Sequence, residues 1–253
     1  MRIEAPTPYL IPSMRALWKE AFGDDDALLD VFFSVAYAPS RARCIVDGDT
    51  VVAALYWFDA ALDGKKLAYL YAIATKRTHR GQGLCRKLMD DVHARLKKQG
   101  YAGAILVPSE PSLFGFYAKM EYVSCAPMQA LVVKADGEPL ALRRVDGEEY
   151  ARLRARLLPL GGVAQEGESL RFLEALESLY AADGLLLAAH EQGGRLVATE
   201  LLGDPALAPR VLSALGLSNG RFRIAGGDTP FAMIRYLSQK DFPLPAYFAL
   251  AFD

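Results

Sequence analysis

The sequence predicts layers of α-helix and β-sheet in both halves of the chain. Two observations carry that expectation. Short apolar runs bounded by glycine turns alternate with amphipathic helical segments from end to end. In addition, the first half's order (helix pair, hairpin, helix, strand, helix, strand) nearly returns in the second. The recurrence suggests a tandem duplication, although no residue-level repeat is visible.

The elements follow in order. Leu10 to Phe22 and Asp26 to Ala36 read as helices, the second opening behind the acidic run "GDDD", which suits a helix N-terminus. Arg43 to Val46 and Val51 to Phe58 flank the hairpin turn "DGDT". Lys66 to Thr75 is a buried strand. From about Gly83 to Gln99 runs a helix with Leu84, Leu88, Val92 and Leu96 on one face, while Arg86, Asp90, Asp91, Lys97 and Lys98 point away and Gly100 stops it. "AGAILV" is a short strand, "EPSLFGFYAKM" a short helix, and "EYVSCAPMQALVVKA" two strands around Pro127. The turn-like "KADGEPL" marks the expected boundary between a domain at 1–136 and one at 137–253. Beyond it, Glu148 to Leu158 and Ser169 to Ala182 read as helices, and "LLLAAHEQGGRLVATELL" as a hairpin about Gly193 and Gly194. Pro205 to Leu215 reads as a helix, Arg221 to Ile224 as a strand, Pro230 to Gln239 as a helix capped by Asp228, and Ala246 to Phe252 as a closing strand.

Composition excludes several functions. A net charge of -1 gives no general attraction for polyphosphate, so nucleic acid is not an expected partner and any basic patch is local. Cys44, Cys85 and Cys125 stand far apart, and His79, His93 and His190 add no clustered ligands, so no metal is expected and the thiols read as free. No segment reaches the ~20 apolar residues of a membrane span, and the N-terminus lacks a signal-peptide core; a cytoplasmic protein is expected.

The chemistry concentrates in "YLYAIATKRTHRGQGLCRKLMDDVHARLKK", where a strand passes through a basic glycine turn into a helix. Helix N-termini offer unpaired amides, and Gly81 and Gly83 let an anion approach them, with Lys76, Arg77, Arg80, Arg86 and Lys87 nearby. The plain alternative is a surface turn with solvated basic residues. The spacing and hydroxyl of a P-loop are missing. A dinucleotide fingerprint fails too, because the glycines come late and Arg86 stands at the third position.

What the turn does meet is Arg/Gln-x-x-Gly-x-Gly/Ala, through Arg80, Gly83 and Cys85. Together with "LWKEAFGDDD", "GKKLAYLYAIAT", "RGQGLCRKLM", "LVPSEPSLFGFYAKMEY" and "PAYFALAFD", it resembles the GNAT superfamily of acetyl-coenzyme-A-dependent N-acetyltransferases, in particular a bacterial subgroup. The specific motifs cover Lys65 to Tyr122; the second half is matched by element order. Two departures are Cys85 in place of a Gly or Ala, and Glu121 where a glycine usually follows the short helix.

The resemblance implies a mixed, mostly antiparallel twisted sheet flanked by helices, present twice, with the second unit degenerate and shaping the acceptor cleft. It implies that Arg80, Gly81, Gln82, Gly83, Leu84 and Cys85 wrap the pyrophosphate of acetyl-CoA, a co-substrate, and that Ala72, Ile73 and Ala74 pair with its pantetheine arm. Tyr117 falls where the family keeps its general acid; a core aromatic is the plain alternative. No general base is evident. Glu110 and Asp59 are candidates that also suit loop or capping carboxylates, and Asp253 would offer its terminal carboxylate. The expected activity is acetyl transfer to a primary amine of a small molecule or peptide by direct attack in a ternary complex. The rival is a non-catalytic acyl-CoA-binding or regulatory module. Acceptor identity and oligomeric state are not legible.

Overall fold

The computed structural model describes residues 1–238 and 242–252. Its strands and helices, in chain order, are β1 (Arg2–Glu4), α1 (Ile11–Phe22), α2 (Asp26–Val31), β2 (Ala42–Asp47), β3 (Thr50–Leu62), β4 (Lys65–Thr75), α3 (Leu84–Lys98), β5 (Gly103–Leu106), α4 (Pro111–Ala118), β6 (Val123–Cys125) and β7 (Met128–Lys134). There follow β8 (Arg143–Arg144), α5 (Gly147–Leu157), β9 (Ala164–Gln165), α6 (Glu168–Leu176), β10 (Ser178–Ala182), β11 (Leu185–Gln192), β12 (Arg195–Leu202), α7 (Ala208–Leu215), β13 (Asn219–Ala225) and β14 (Ala232–Tyr236).

The strands form two sheets. The first runs β1-β2-β3-β4-β5-β14-β6, with β9 beside the far end of β3; the second runs β7-β13-β12-β11-β10-β8. Each has one parallel pair, β4 with β5 and β12 with β13, joined through α3 and α7 respectively. Parallel neighbours need such a crossover, so each sheet is built about one β-α-β unit. Each unit then takes its next strand from the other half of the chain: β14 lies against β5, and β7 against β13. The boundary expected at 136 falls between these exchanged strands, just after β7.

Packing follows the sequence pattern. Leu88, Val92 and Leu96 of α3 are fully buried with Met89 against the first sheet, each contributing roughly 1.5–3 kcal/mol of burial. On the opposite face an aromatic cluster forms, with Trp18 and Phe32 centroids 4.7 Å apart and Phe172 4.8 Å from Phe252. Among the described residues no helix is long and apolar enough to cross a membrane. All three cysteines are free, and burial pushes the Cys44 thiol up to about 11.

Four expectations are corrected. "AMIRY" (232–236) is a strand rather than part of a helix at 230–239, of which Gln239 lies outside the described residues; Ala232, Met233 and Ile234 are buried between β5 and β6. Asp228 accordingly caps no helix. Ser178–Ala182 is strand β10, the helix before it ending at Leu176. The segment 246–252 is not a strand: among the described residues it joins the ladders through a single bridge from Gly162 to Tyr247 and tightens at Ala251, whose amide donates to Ala249 carbonyl at 2.7 Å. The helix expected through Ala36 continues past Val31 as a wider π-turn over Phe32–Ala36.

Two buried polar networks lock the exchange. Glu200, fully buried, accepts from Arg154 Nε at 2.9 Å, Tyr150 hydroxyl at 2.7 Å and Tyr247 hydroxyl at 2.9 Å, so β12, α5 and the C-terminal segment meet at one carboxylate. His93 of α3 lies between Arg235 of β14 (Nη1 donating to Nδ1, 2.9 Å) and the Tyr122 hydroxyl (2.8 Å). Arginine can only donate, so Nδ1 accepts and the imidazole is neutral. Burial, with Arg235 alongside, pushes His93 down to about 3.

We expect Glu200→Ala, which strands the Arg154 guanidinium, to cost roughly 3–5 kcal/mol in denaturant unfolding. Tyr247→Phe should cost about 1–3 kcal/mol. Because the unfolded chain protonates His93 near its ordinary value and the folded chain does not, stability is retained above about 6.5. It should fall as pH drops from there toward about 3, by up to about 1.4 kcal/mol per pH unit. His93→Gln should flatten that part of the curve.

Candidate active site

β4 and β5 run side by side only from Leu67–Gly103 to Tyr69–Ile105. β4 then continues to Thr75 while β5 stops at Leu106, so the two strands part. On its other edge β4 carries an extra residue. β3 advances two residues from Ala54 to Tyr56 while β4 advances three from Ala74 to Tyr71, and Ala72 in between has φ +48°. Left-handed backbone costs a non-glycine residue about 1 kcal/mol, and such a bulge turns backbone groups out of the ladder. Ala72 and Ile73 line a cleft of about 1220 Å³ that reaches from β4 and α4 across to the second sheet; Ala74 is buried behind them.

After β4 the chain is anchored before it turns. Lys76 amide donates to Val52 carbonyl at 2.9 Å, Arg77 amide to Glu20 Oε1 at 2.7 Å, and Arg80 Nε to Thr75 carbonyl at 3.1 Å. Gly81 (φ +76°) and Gly83 (φ +73°) supply the left-handed corners, and a Cβ at either would meet no atom within 4 Å. These glycines are therefore demanded by backbone conformation, and the space in front of them is open. α3 starts from Gly83 with no capping side chain. Its first internal amide bond is Lys87 to the Gly83 carbonyl at 3.0 Å, leaving the Leu84, Cys85 and Arg86 amides outside the helical ladder. Arg80, Gly81, Gln82 and Gly83 are exposed, Leu84 is buried and Cys85 half-buried; none of the six lines the cleft, which the turn joins through β4.

Tyr117 of α4 does line it. Its ring is 7% exposed, packed between Phe116 (5.3 Å) and Tyr122 (5.8 Å). Burial, then the nearby Cys85 thiol, pushes its hydroxyl well above the usual phenol range. No hydrogen bond reaches that hydroxyl among the described residues. Arg86 Nη2, donating to Lys119 carbonyl at 3.0 Å, ties the end of α4 to the first turn of α3. Glu121 follows in the left-handed conformation, φ +65°, which the usual glycine would adopt without strain.

The carboxylates expected from sequence separate. Glu110 precedes α4, is exposed, accepts from Ser112 Oγ at 3.2 Å and lines the cleft. Asp59 does not line it: it accepts from the Tyr101 hydroxyl and sits 3.6 Å from Lys66 Nζ and 3.9 Å from Arg41 Nη1. Asp253 lies outside the described residues. Phe252 reaches the cleft, its ring 5.6 Å from Tyr71 and its amide donating to Tyr69 hydroxyl at 3.2 Å.

Sequence reasoning missed the groups from the other wall. Glu177, His190, Thr199, Arg221 and Arg223 all line the same cleft, yet come from the end of α6 and from β11, β12 and β13. Only alternation along β12 and β13 hinted that these side chains share a face.

The second β-α-β unit enters its helix α7 differently, through a 3-10 turn at Pro205–Leu207. The Asp204 carboxylate accepts from the Ala206 amide at 2.9 Å, and Pro205 and Pro209 remove two amides near the beginning of α7. A fixed negative charge stands there, where α3 has none.

Comparison with known proteins gives the following. Residues 2–124 match the family model described as acetyltransferase (GNAT) domain. A search of the curated proteins finds no match. Among solved structures, a GCN5-related N-acetyltransferase from Kribbella flavida is 18% identical with a TM-score of 0.71, covering 93% of this chain and 72% of that one. One from Anabaena variabilis is 13% identical with a TM-score of 0.70, over 94% and 73%. A putative acetyltransferase from Pyrococcus horikoshii is 14% identical with a TM-score of 0.65, over 98% and 93%. At these identities the likeness is one of fold, and it extends across both sheets.

Gly83→Ala forces a side chain into a left-handed corner, and we expect it to lower unfolding stability by about 1 kcal/mol, measured by denaturant titration.

Proposed function

From the match of residues 2–124 to the GNAT acetyltransferase domain model we propose that the protein moves an acetyl group from acetyl-CoA to a primary amine by direct attack, both substrates being held together. The observation that carries the reading is the parting of β4 from β5 beyond Tyr69, with the Ala72 bulge on the opposite edge, beside a cleft that Ala72, Ile73 and Tyr117 all line.

The residues fit an acyl-CoA. Open space at Gly81 and Gly83, the uncapped start of α3, and the local basic side chains suit a pyrophosphate. The free edge of β4 at Ala72 and Ile73 suits the amide groups of a pantetheine arm. A backbone amide at the bulge would donate to the thioester oxygen as charge develops there. Tyr117, kept protonated by burial, would donate to the departing thiolate. The acceptor's attacking nitrogen would lie in the cleft between the sheets. In this reading the second β-α-β unit holds no coenzyme, because Asp204 caps the 3-10 turn Pro205–Leu207 that leads into α7, and it serves to wall the acceptor side.

The test follows thiol release from acetyl-CoA across a panel of primary amines. Amine-dependent release is expected, and Tyr117→Phe should lower kcat by roughly a hundredfold or more while coenzyme A affinity stays unchanged. Coenzyme A binding without release for any amine would instead select the non-catalytic acyl-CoA-binding module.

A further inference from the structure

The wall of the cleft opposite Tyr117 carries a group that the reaction as described does not use. Glu177 directly follows α6, and its side chain is 8% exposed. Its Oε1 accepts from the Thr199 hydroxyl and lies 3.5 Å from His190 Nδ1. Its Oε2 is buried with no hydrogen-bond partner among the described residues. A carboxylate oxygen removed from water and left unmatched costs free energy, so it is placed for a donor that comes from outside the chain.

The surroundings are shaped to hold this carboxylate. Between Ala188 and Ala189 β11 advances one residue while β12 goes from Glu200 to Ala198, so Thr199 is the extra residue of a bulge. It stands on the β11–β12 hairpin as Ala72 stands on the β3–β4 hairpin, but here the bulge turns a hydroxyl onto Glu177. His190, 41% exposed at its side chain, closes the other flank and faces the cleft. Burial pushes the Glu177 carboxyl up, opposed by Thr199, His190 and Arg223.

Two arginines share this wall. Arg223 is engaged, Nη1 donating to Ala249 carbonyl at 2.9 Å with its guanidinium 4.6 Å from the Phe231 ring centroid. Arg221 is exposed two residues earlier on β13. Phe231 and Phe252 also line the cleft and suit an apolar body attached to a cation.

We propose that Glu177, positioned by Thr199 and His190, is the subsite that takes the ammonium group of the acceptor, which is therefore a cationic amine with an apolar body. Naming that ligand as acceptor rests on the acetyltransferase reading; the binding site itself does not. The site would use all three side chains in one contact: the ammonium donates to Oε2, Thr199 holds Oε1, and His190 flanks the pair.

The experiment titrates tyramine, phenethylamine and spermidine into the full chain saturated with coenzyme A, by calorimetry, for the wild type and for Glu177→Gln. Phenethyl alcohol, neutral and of similar shape, serves as the uncharged control. At least one amine should bind the wild type, and Glu177→Gln should weaken it roughly tenfold or more, with alcohol and coenzyme A affinities unchanged. Glu177→Asp, which keeps the charge, should recover part of the loss and guards against a folding artefact. Equal amine affinity in wild type and Glu177→Gln, or no binding by any of the three amines, overturns the proposal. Amine binding through Glu177 without thiol release would overturn the acetyltransferase reading and leave this site standing. Thiol release whose amine KM ignores Glu177→Gln would do the reverse.

Discussion

The divergence of two parallel strands governs this structure. β4 and β5 share three paired positions and then separate, and sheet chemistry forbids leaving the freed edge of β4 against apolar protein. Beyond that pairing Ala72 and Ile73 line a cleft, and Ala72 takes a left-handed conformation at a bulge against β3. Because the groups of the freed edge are backbone, apolar side chains suffice, and the strand remains a core element on its other face. The same strand then runs into a turn whose glycines leave the start of α3 bare. The proposed binding surface and the helix terminus are thus consecutive along one segment of chain.

Such an opening needs support from outside the first sheet. That support comes from the exchange of β7 and β14 and from the C-terminal segment packed between the layers. Gln165 Nε2 donates to Leu250 carbonyl at 2.7 Å, Arg223 to Ala249 carbonyl, and Tyr247 to the buried Glu200. These bonds deliver Phe252 into an aromatic cluster with Tyr69, Tyr71 and Phe172. Neither half could form its sheet as observed without a strand from the other, so the two walls of the cleft are fixed together. Buried ion pairs seldom add net stability over apolar packing. The Arg154–Glu200 pair is better understood as fixing where the C-terminal segment sits.

Much of the first half was legible in sequence because its signals were local. The 3.6-residue period of Leu88, Val92 and Leu96 gave α3, and Gly81 and Gly83 marked corners that the backbone needs. Pro230 misled for a local reason as well: Asp-Thr-Pro looks like a helix start, whereas 232–236 is held as a strand by β5 and β6, partners more than a hundred residues away in sequence. The C-terminal segment was expected to close a sheet, but its partners are side chains and isolated carbonyls rather than a ladder. The Glu177, His190 and Thr199 group was invisible because its members come from three elements joined only by folding. Tyr117 could be singled out only through the motif around it, since a lone tyrosine at a helical position reads equally as core.

In the proposed reading the backbone of the β4–α3 turn binds an acyl-CoA. Amide hydrogen exchange on the full chain, with and without coenzyme A, tests it at the atoms concerned. Slowed exchange is expected at Gly81 to Arg86 and around Ala72 to Ala74, with little change at the start of α7. Unchanged exchange across Gly81 to Arg86 at saturating coenzyme A, or protection centred on α7, would contradict it.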